Sequence, residues 1–344
     1  MKNASLSTRI IGLVATAVVT VGVCVFASSY YFVNQGFNDQ TQQDIGRLAD
    51  AVQLHFDDVT AKMAAVAQLT ASRKDLAEAI TKGDTGRVQQ LGKEVMRDSK
   101  AGFITIADKD GNVVGRGHSD KVGDSVLNQP NVKKALAGEP STGIEEGTVV
   151  KFSLRAGAPV KLDGKVVGSV TTGVDLTPAS HAFVEEVKKM FGVECTLFQG
   201  DTRTTTTIVK DGQRLIGTKM DNPKVLDTVL ARGQRYLDIN QILGKDYNTA
   251  YWPLKDASGK LIGMLFIGKD RSIVTATVRN TELSILAILS VVGALMVLAG
   301  ILVARSITRP VNRAMTSLAE AADQVVSASG QVSSASQSLA EGAS

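Results

Sequence analysis

Two long apolar runs divide the chain into an N-terminal end, a large middle segment and a C-terminal end. Residues Leu283–Ala304 contain no charged residue and no proline, and a helix of about 22 residues crosses the roughly 30 Å hydrocarbon core of a bilayer. Residues Ile10–Val33 form a second such run, which is longer than the roughly 7–15 residues of a signal-peptide core. We therefore predict two transmembrane helices, and we favour an uncleaved first helix over a cleaved signal peptide.

Basic residues flank both apolar runs on their outer sides. Lys2 and Arg9 precede the first run, and three arginines follow the second. The positive-inside rule then places residues 1–9 and 305–344 in the cytoplasm and residues 34–281 outside it. We predict a multi-pass protein of the bacterial inner (cytoplasmic) membrane whose middle segment, the sensor, is periplasmic or extracellular.

The middle segment begins with a helical pattern from Phe37 to about Leu69, where apolar positions recur at steps of three and four. The positions are Ile45, Leu48, Val52, Phe56, Val59, Met63 and Val66. We predict a long helix continuing from the first membrane helix, with its apolar face packed on the sensor or on a second subunit. Two shorter helices, Ser72–Ile80 and Gly83–Asp98, complete a helical lead-in over residues 34–99.

After this lead-in the apolar period falls from 3.6 to 2, which is typical of strands. The strand-like runs are Phe103–Ile106, a run beginning at Val113, Val149–Leu154, Ala158–Leu162 and Val166–Val174. Asp110-Gly111 and Asp163-Gly164 are hairpin turn signals, and Pro130–Leu136 is a predicted short helix. The pattern indicates a module of five antiparallel strands with an inserted helix.

An internal repeat predicts a second copy of this module. DGKVVGSVTTGVD (Asp163–Asp175) matches SGKLIGMLFIGKD (Ser258–Asp270) without a gap. The aligned glycines are Gly164 with Gly259, Gly168 with Gly263, and Gly173 with Gly268. Upstream, Asp110-Gly111 is aligned with Asp211-Gly212. The predicted fold class is α+β, with a long N-terminal helix and two antiparallel-sheet modules between the two membrane helices.

The order of these elements resembles the PAS-like Cache fold of extracytoplasmic bacterial sensors. Two modules after a long helix resemble a double Cache ectodomain, specifically the fusion of a Cache 3-type module (residues 100–180) with a Cache 2-type module (residues 181–281). GRGHSDKVGD (Gly115–Asp124) and SLRAGAPV (Ser153–Val160) are similar to segments of citrate- and dicarboxylate-sensing histidine kinases, and AYWPLKDASGKLIGMLFIG (Ala250–Gly268) is similar to Cache 2 modules. The resemblance implies that the first module is membrane-distal and holds the ligand, and that the second is membrane-proximal.

Five residues of the first module are candidates for ligand binding. Alternation along a strand puts Lys151, Ser153 and Arg155 on one face, and Arg116 and His118 lie where the second strand leaves its hairpin. A guanidinium binds a carboxylate through two parallel hydrogen bonds, and a second cation can neutralise a di- or tricarboxylate. The resemblance implies that Arg116, His118 and Arg155 bind such an anion, whereas the residues alone also allow solvated charges at strand ends.

The remaining sequence features argue against other classes of protein. A net charge of +4 is too small to suggest a nucleic-acid partner. Cys24 lies in an apolar run and Cys195 in the sensor, so they are not expected to pair, and neither haem nor zinc spacing occurs. Motifs for nucleophilic, zinc or nucleotide chemistry are also missing. We expect no cofactor, no metal site, no catalytic residue and no enzyme activity.

The residues after the second apolar run resemble a signalling segment. Ser306–Val311 is similar to the start of a HAMP linker, and Pro310 can interrupt a helix there. Apolar residues then recur every seven positions, at Leu318, Val325, Val332 and Leu339. This heptad pattern predicts a coiled coil over residues 305–344, and therefore a homodimer. Its Ser- and Gln-rich composition resembles the helix that leads into the cytoplasmic hairpin of methyl-accepting chemotaxis proteins, truncated before the methylation and signalling region.

The sequence thus predicts a transmembrane chemoreceptor for a small extracytoplasmic ligand, with an organic acid anion as the expected class. Its further partners would be the chemotaxis histidine kinase and a coupling protein, bound through a C-terminal region that this chain lacks. Two alternatives stay open: the ectodomain of a sensor histidine kinase or diguanylate cyclase, and a membrane-anchored binding protein that does not signal.

Overall fold

The structure, a computed structural model, describes residues 6–147 and 149–342, and it divides into two compact units. The first unit joins the two ends of the chain, up to residue 37 and from residue 274 onward, and the second unit is Asn38–Ile273. Lys2 lies outside the described residues, as does the side-chain environment of Leu339.

Seven α-helices and twelve strands are found among the described residues. The helices are α1 (Leu6–Ala71), α2 (Lys74–Lys82), α3 (Thr85–Ser99), α4 (Pro130–Leu136), α5 (Ala182–Phe191), α6 (Pro223–Val225, continued by a π-helix at Leu226–Ala231) and α7 (Ser272–Gly342). The strands are β1 (Phe103–Asp108), β2 (Val113–Arg116), β3 (Ser141–Glu145), β4 (Ser153–Leu162), β5 (Lys165–Asp175), β6 (Glu194–Gln199), β7 (Thr202–Thr206), β8 (Val209–Lys210), β9 (Gln213–Arg214), β10 (Tyr236–Ile242), β11 (Lys245–Lys255) and β12 (Leu261–Asp270).

In the first unit, α1 and α7 each contain one of the apolar runs. The most apolar window of Ile11–Ala71 has a mean hydropathy of 2.3, and that of Val274–Ser336 has a mean hydropathy of 2.8. Both helices are therefore long and apolar enough to cross a membrane. Within this unit Asn34 Nδ2 donates a hydrogen bond of 3.3 Å to Glu282 Oε1.

The helix α7 continues through Pro310, where the sequence allowed a break. Leu318, Val325 and Val332 of the heptad pattern are 65–70% exposed. The coiled-coil seam is thus helical, as predicted, and it is uncovered in a single chain.

The second unit contains two five-stranded antiparallel sheets with the same topology. The first sheet has the order β2-β1-β5-β4-β3, and the second has the order β7-β6-β12-β11-β10. In each sheet the last strand of the module, β5 or β12, pairs with the first and with the preceding strand. The predicted repeat of an antiparallel α+β module is therefore confirmed at the level of topology.

Three details of the strand prediction are wrong. The strand β3 was not predicted, because its sequence STGIE has little apolar alternation. The two strands predicted at Val149–Leu154 and Ala158–Leu162 are one strand, β4, which begins at Ser153. Asp211-Gly212 connects the short extra ribbon β8–β9, so the turn equivalent to Asp110-Gly111 is the one between β6 and β7.

The repeated glycines are explained by close backbone contacts in the two central strands. A Cβ atom on Gly168 would overlap the carbonyl oxygen of Ala107, and one on Gly263 would overlap the carbonyl oxygen of Phe198. The aligned turn glycine Gly164 has a φ of +77°, which favours glycine. The repeat therefore preserves positions at which any side chain would separate two paired strands.

We expect the Gly263→Ala substitution to lower the free energy of unfolding by about 3 kcal/mol, because overpacking a rigid backbone contact costs at least the usual 1–3 kcal/mol. Gly46→Ala on α1 is the matched control. Its Cβ would lie 3.7 Å from Leu237 Cδ1, and glycine-to-alanine changes inside a helix typically stabilise by about 0.5–1 kcal/mol. Denaturant unfolding of the full chain, followed by circular dichroism, measures both. Equal stability of the two variants would contradict the overlap at residue 263.

The C-terminal half of α1 packs against both modules of the second unit. Ile45, Ala49, Val52 and Phe56 are buried in a core that also contains residues of both sheets. Further along α1, Met63 and its neighbours enter the core of the first module. The predicted apolar face of this helix is therefore confirmed, and it packs on the sensor unit of its own chain.

Candidate functional site

The predicted ligand residues of the first module converge on one small cavity. It has a volume of about 10 Å³, which is close to the space for one water molecule. Its walls are Phe103, Thr105, Arg116, His118, Val126, Gln129, Val149, Val150 and Arg155. Three of the five predicted residues therefore share one site, and this site is closed to anything larger than water.

Arg155 is a buried cation held only by neutral acceptors. Its Nε donates to Ser153 Oγ at 2.8 Å, its Nη1 donates to Gln129 Oε1 at 2.5 Å, and its Nη2 donates to the Val150 carbonyl at 2.8 Å. Among the described residues no carboxylate lies within ion-pair distance of it, and burial lowers the pKa of Arg155 to about 10. A buried cation without a counterion favours binding of an anion.

The position of Arg155 depends on glycines at two places. In the sheet Gly173 lies opposite both Arg155 and Phe103, and its missing side chain leaves space for the Phe103 ring, whose centroid is 5.3 Å from Cζ of Arg155. A Cβ on Gly173 would lie 2.6 Å from Cζ of Phe103, and a Cβ on Gly147 would overlap Arg155 Nη2. The repeat glycine at 173 thus has a role in the site as well as in the fold.

Arg116, in contrast, already has a carboxylate partner. Its side chain is 1% exposed, and its Nη1 and Nη2 donate to the two carboxylate oxygens of Asp124 at 2.7 and 2.9 Å. Nη1 also donates to the Lys121 carbonyl. Such a bidentate pair neutralises the guanidinium. Arg116 therefore forms part of the cavity wall, and both of its terminal nitrogens already donate to Asp124.

The Arg116–Asp124 pair should make stability depend on pH in the acid range. The hydrogen bond from Arg116 lowers the pKa of Asp124 to about 2, below its value of about 3.9 in an unfolded chain. A lowered pKa contributes stability above pH 4, about 2 kcal/mol, which is lost as the pH falls towards 2.

The check is the difference in unfolding free energy between the unmodified protein and Asp124→Asn. We expect this difference to be constant from pH 5 to 7 and to shrink by about 2 kcal/mol at pH 2. Asp58→Asn, at an exposed position of α1, is the control and should show no such change. If the difference in unfolding free energy between the unmodified protein and Asp124→Asn did not vary with pH, the Arg116–Asp124 pair would not be a source of pH-dependent stability.

His118 enters the cavity wall as a neutral imidazole. Its Nδ1 is 3.0 Å from the carbonyl oxygen of Ile104, which makes Nδ1 the protonated nitrogen. Burial lowers the pKa of His118, and the charges of Arg116 and Arg155 act in the same direction. At neutral pH it therefore provides a ring nitrogen for hydrogen bonding and an edge-on contact with Phe103, rather than a second positive charge.

Lys151 and Ser153 do not occupy the predicted positions. The strand β4 begins only at Ser153, so the alternation that grouped Lys151 with Arg155 does not apply, and Lys151 is exposed outside the cavity. Ser153 is buried and accepts the Arg155 Nε hydrogen bond, which makes it a positioning residue. Gln129 and Phe103 were not predicted, because an amide and a phenyl ring carry no charge signal in a sequence.

No group of three or more residues that could hold a metal ion occurs within the part of the chain that the structure describes. The cavity is lined by the unpaired guanidinium of Arg155, the Arg116 guanidinium already paired with Asp124, one neutral imidazole, an amide, a threonine and apolar side chains. This set of groups can bind and orient an anion.

Comparison with known proteins identifies the fold of the sensor unit. Residues 47–187 match one family model described as single cache domain 3, and residues 174–281 match a second model with the same description. The sequence had suggested a Cache 2 type for the second segment; that assignment stays a prediction. A search of curated proteins found no match.

Several solved sensor domains are similar to this chain. The sensor domain of the V. cholerae histidine kinase DctB is 12% identical and has a TM-score of 0.49, covering 67% of this chain and 98% of that one. The ligand-binding domain of the Campylobacter jejuni chemoreceptor Tlp3, in complex with L-valine, is 13% identical with a TM-score of 0.46 and coverages of 72% and 97%. The E. coli DcuS sensor domain is 21% identical with a TM-score of 0.33 and coverages of 39% and 94%.

The two family matches overlap at residues 174–187 and together cover residues 47–281, which include the C-terminal part of α1, both sheets and the small cavity. Cache domains are ligand-binding sensor modules, and here one is flanked by two helices that are apolar enough to cross a membrane. This chain therefore carries a Cache sensor domain.

Proposed function

We propose that the protein is a transmembrane receptor of the chemoreceptor class, whose first Cache module binds a small organic acid anion. In this proposal the two sheets are the two modules of a double Cache ectodomain, with the first module membrane-distal. The single observation that carries the ligand class is the buried Arg155, whose three hydrogen bonds all go to neutral acceptors.

Ligand binding would replace acceptors that already contact Arg155. A carboxylate would take the places of Gln129 Oε1 and the Val150 carbonyl on the guanidinium, where charged acceptors bind about twice as strongly as neutral ones. Because the cavity holds only about 10 Å³, the binding-competent state is a more open conformer of the segment that precedes β4. The anion would shift the equilibrium towards that conformer by its difference in affinity for the two states.

The end of the second module provides a route from the sensor towards the membrane. Arg271 lies between β12 and α7, and its Nη1 donates to Asn248 on β11 at 3.0 Å. Its Nη2 donates to Asn38 on α1 at 2.7 Å. A displacement of the second sheet would therefore move Arg271, and with it both α1 and the start of α7. In this proposal α7 moves by about 1–2 Å and acts on the cytoplasmic coiled coil.

In this proposal the receptor forms a homodimer and controls a chemotaxis histidine kinase through a coupling protein. The uncovered heptad side chains of α7 support the dimer, since exposed Leu and Val at seven-residue spacing are stable when a second helix covers them. The Ser- and Gln-rich composition of the outward positions of this C-terminal helix supports the chemoreceptor class.

A thermal-shift screen of the full chain in detergent tests the ligand class. The panel is succinate, malate, citrate and acetate, with the matched neutral compounds succinamide and acetamide. We expect at least one carboxylate to raise the melting temperature, since ligand at 100 times its Kd stabilises by about 2.7 kcal/mol. If only uncharged compounds stabilise the protein, the anion proposal is wrong.

A further inference from the structure

A second and much larger cavity lies between the two modules of the sensor unit. It has a volume of about 650 Å³, which is within the usual range of ligand pockets, roughly 300–1,000 Å³. One wall comes from α4 and the end of β3, and the other comes from the end of β6 and the turn between β11 and β12. It is separate from the small cavity of Arg155, although Gln129 lines both.

The two walls are fixed to each other at one edge of this cleft. Ile144 on β3 forms a parallel bridge with Asp256 in the β11–β12 turn. A Cβ on Gly143 would lie 2.7 Å from the backbone nitrogen of Ala257, so the two modules are in backbone contact there. The cleft is therefore a formed cavity with a rigid base.

Three carboxylates line the cleft, and Glu145 differs from the other two in having a buried oxygen without a hydrogen-bond partner among the described residues. Asp256 Oδ1 accepts three hydrogen bonds within its own turn, and Glu146 Oε1 accepts from Gln199 Nε2 at 3.0 Å. Glu145 is 6% exposed. Its Oε2 accepts from the backbone N–H of Asn131, while its Oε1 has no hydrogen-bond partner among the described residues.

The Oε1 atom of Glu145 therefore lacks a hydrogen-bond donor among the described residues. Burial raises the pKa of Glu145, and Asn131 and Arg155 only partly oppose this. An unsatisfied buried carboxylate oxygen costs free energy until a donor reaches it. An ammonium group is the ligand group that supplies both several donors and a compensating charge.

Two lysines also line the cleft. Lys134 on α4 and Lys260 next to the start of β12 are exposed, and neither has an ion-pair partner within the described part of the chain. Apolar side chains, among them Phe152 and Leu261, line it as well. The cleft thus offers a buried carboxylate, apolar side chains and two exposed ammonium groups.

We propose that this cleft is a second ligand site that takes an α-amino acid with an apolar side chain. The ligand ammonium would bind Glu145, its carboxylate would face Lys134 and Lys260, and its side chain would contact Phe152 and Leu261. Because residues of both modules line the cleft, its occupant would contact both of them.

Isothermal titration calorimetry on the full chain in detergent tests this site. The probes are L-valine, L-leucine, L-isoleucine, L-methionine and L-phenylalanine, with isoamylamine and 4-methylpentanoate as leucine without its carboxylate and without its ammonium. We expect at least one amino acid to bind, and both truncated compounds to bind at least tenfold more weakly than L-leucine. Absence of binding by all five amino acids, or isoamylamine binding as tightly as L-leucine, would overturn the proposal.

Variants separate this site from the small cavity. Glu145→Gln and Lys260→Met should each weaken amino-acid binding at least tenfold, and Lys260 is an exposed turn residue whose change leaves the fold intact. Lys210→Met, exposed on β8, is the matched control. Arg155→Met should weaken amino-acid binding less than Glu145→Gln and Lys260→Met do, because Arg155 acts on the cleft only through Glu145 and Gln129. If Arg155→Met abolished it while Glu145→Gln and Lys260→Met did not, the amino acid would occupy the small cavity and the second site would be excluded.

Discussion

Arg155→Met should weaken carboxylate binding about 100-fold and remove the rise in melting temperature that the carboxylate causes. The guanidinium is the cavity's cation without a carboxylate partner, and each charge-assisted hydrogen bond that it makes to an anion contributes about 1.5–3 kcal/mol. Methionine fills a similar volume beside Phe103 but donates no hydrogen bond. Calorimetric titration of the full chain with the carboxylate selected by the thermal-shift screen measures the loss.

Two further variants make this result specific to Arg155. Arg155→Lys keeps the charge and loses the planar fork, so it should retain part of the affinity. Lys151→Met removes an exposed charge four residues away, and it should change the affinity less than twofold because Lys151 does not line the cavity. Equal losses for Lys151→Met and Arg155→Met would show that long-range charge, and not a site at Arg155, binds the anion.

The sequence was informative about the fold where backbone geometry restricts the choice of residue. Gly168 and Gly263 must lack a side chain because a carbonyl oxygen of the neighbouring strand lies in that space. Such a requirement recurs in each copy of the module, and this is why the repeat predicted the topology. The strand β3 has a glycine of this kind at Gly143, but its close contact is with Ala257 of the second module. Gly143 lies outside the repeated segments, and the position of β3 depends on pairing with β4 and on that contact.

The site was predictable in part, because charge is visible in a sequence and pairing is not. Arg116 and Arg155 were equivalent candidates as residue types, yet only Arg155 lacks a carboxylate partner. The difference comes from Asp124, whose loop brings it to Arg116 at 2.7 Å. Lys151 was misplaced because the strand begins at Ser153, four residues later than the predicted start at Val149.

The closed cavity implies that ligand affinity includes the free energy of opening. If the open conformer is a minor state, the apparent Kd is the intrinsic Kd divided by the open fraction. Gly147 contacts the Arg155 guanidinium so closely that a Cβ there would overlap it. Gly147 in the segment before β4 is thus packed directly on Arg155, and in the proposed mechanism ligand binding and movement of this segment would occur together.

A disulfide between α1 and α7 should block transmission of the ligand signal while leaving binding intact. In the first unit, the Cβ introduced by Gly300→Cys would lie 3.5 Å from the Cβ of Val14, which is within the usual disulfide range of roughly 3.5–4.5 Å. Combining it with Val14→Cys, in a Cys24→Ser background, therefore gives a pair that can be oxidised in the membrane. Oxidation would prevent α7 from moving along α1.

The readout is hydrogen–deuterium exchange of residues 305–336, compared with and without the selected carboxylate. In the reduced protein we expect ligand to change exchange in this segment, since the proposed movement of α7 alters the coiled coil beyond the membrane. In the oxidised protein we expect that change to disappear, with the carboxylate Kd altered less than twofold. Reduction of the same sample should restore the response, which separates the effect of the cross-link from that of the two substitutions. An oxidised protein that still responded would mean that the signal reaches the coiled coil without relative movement of α1 and α7.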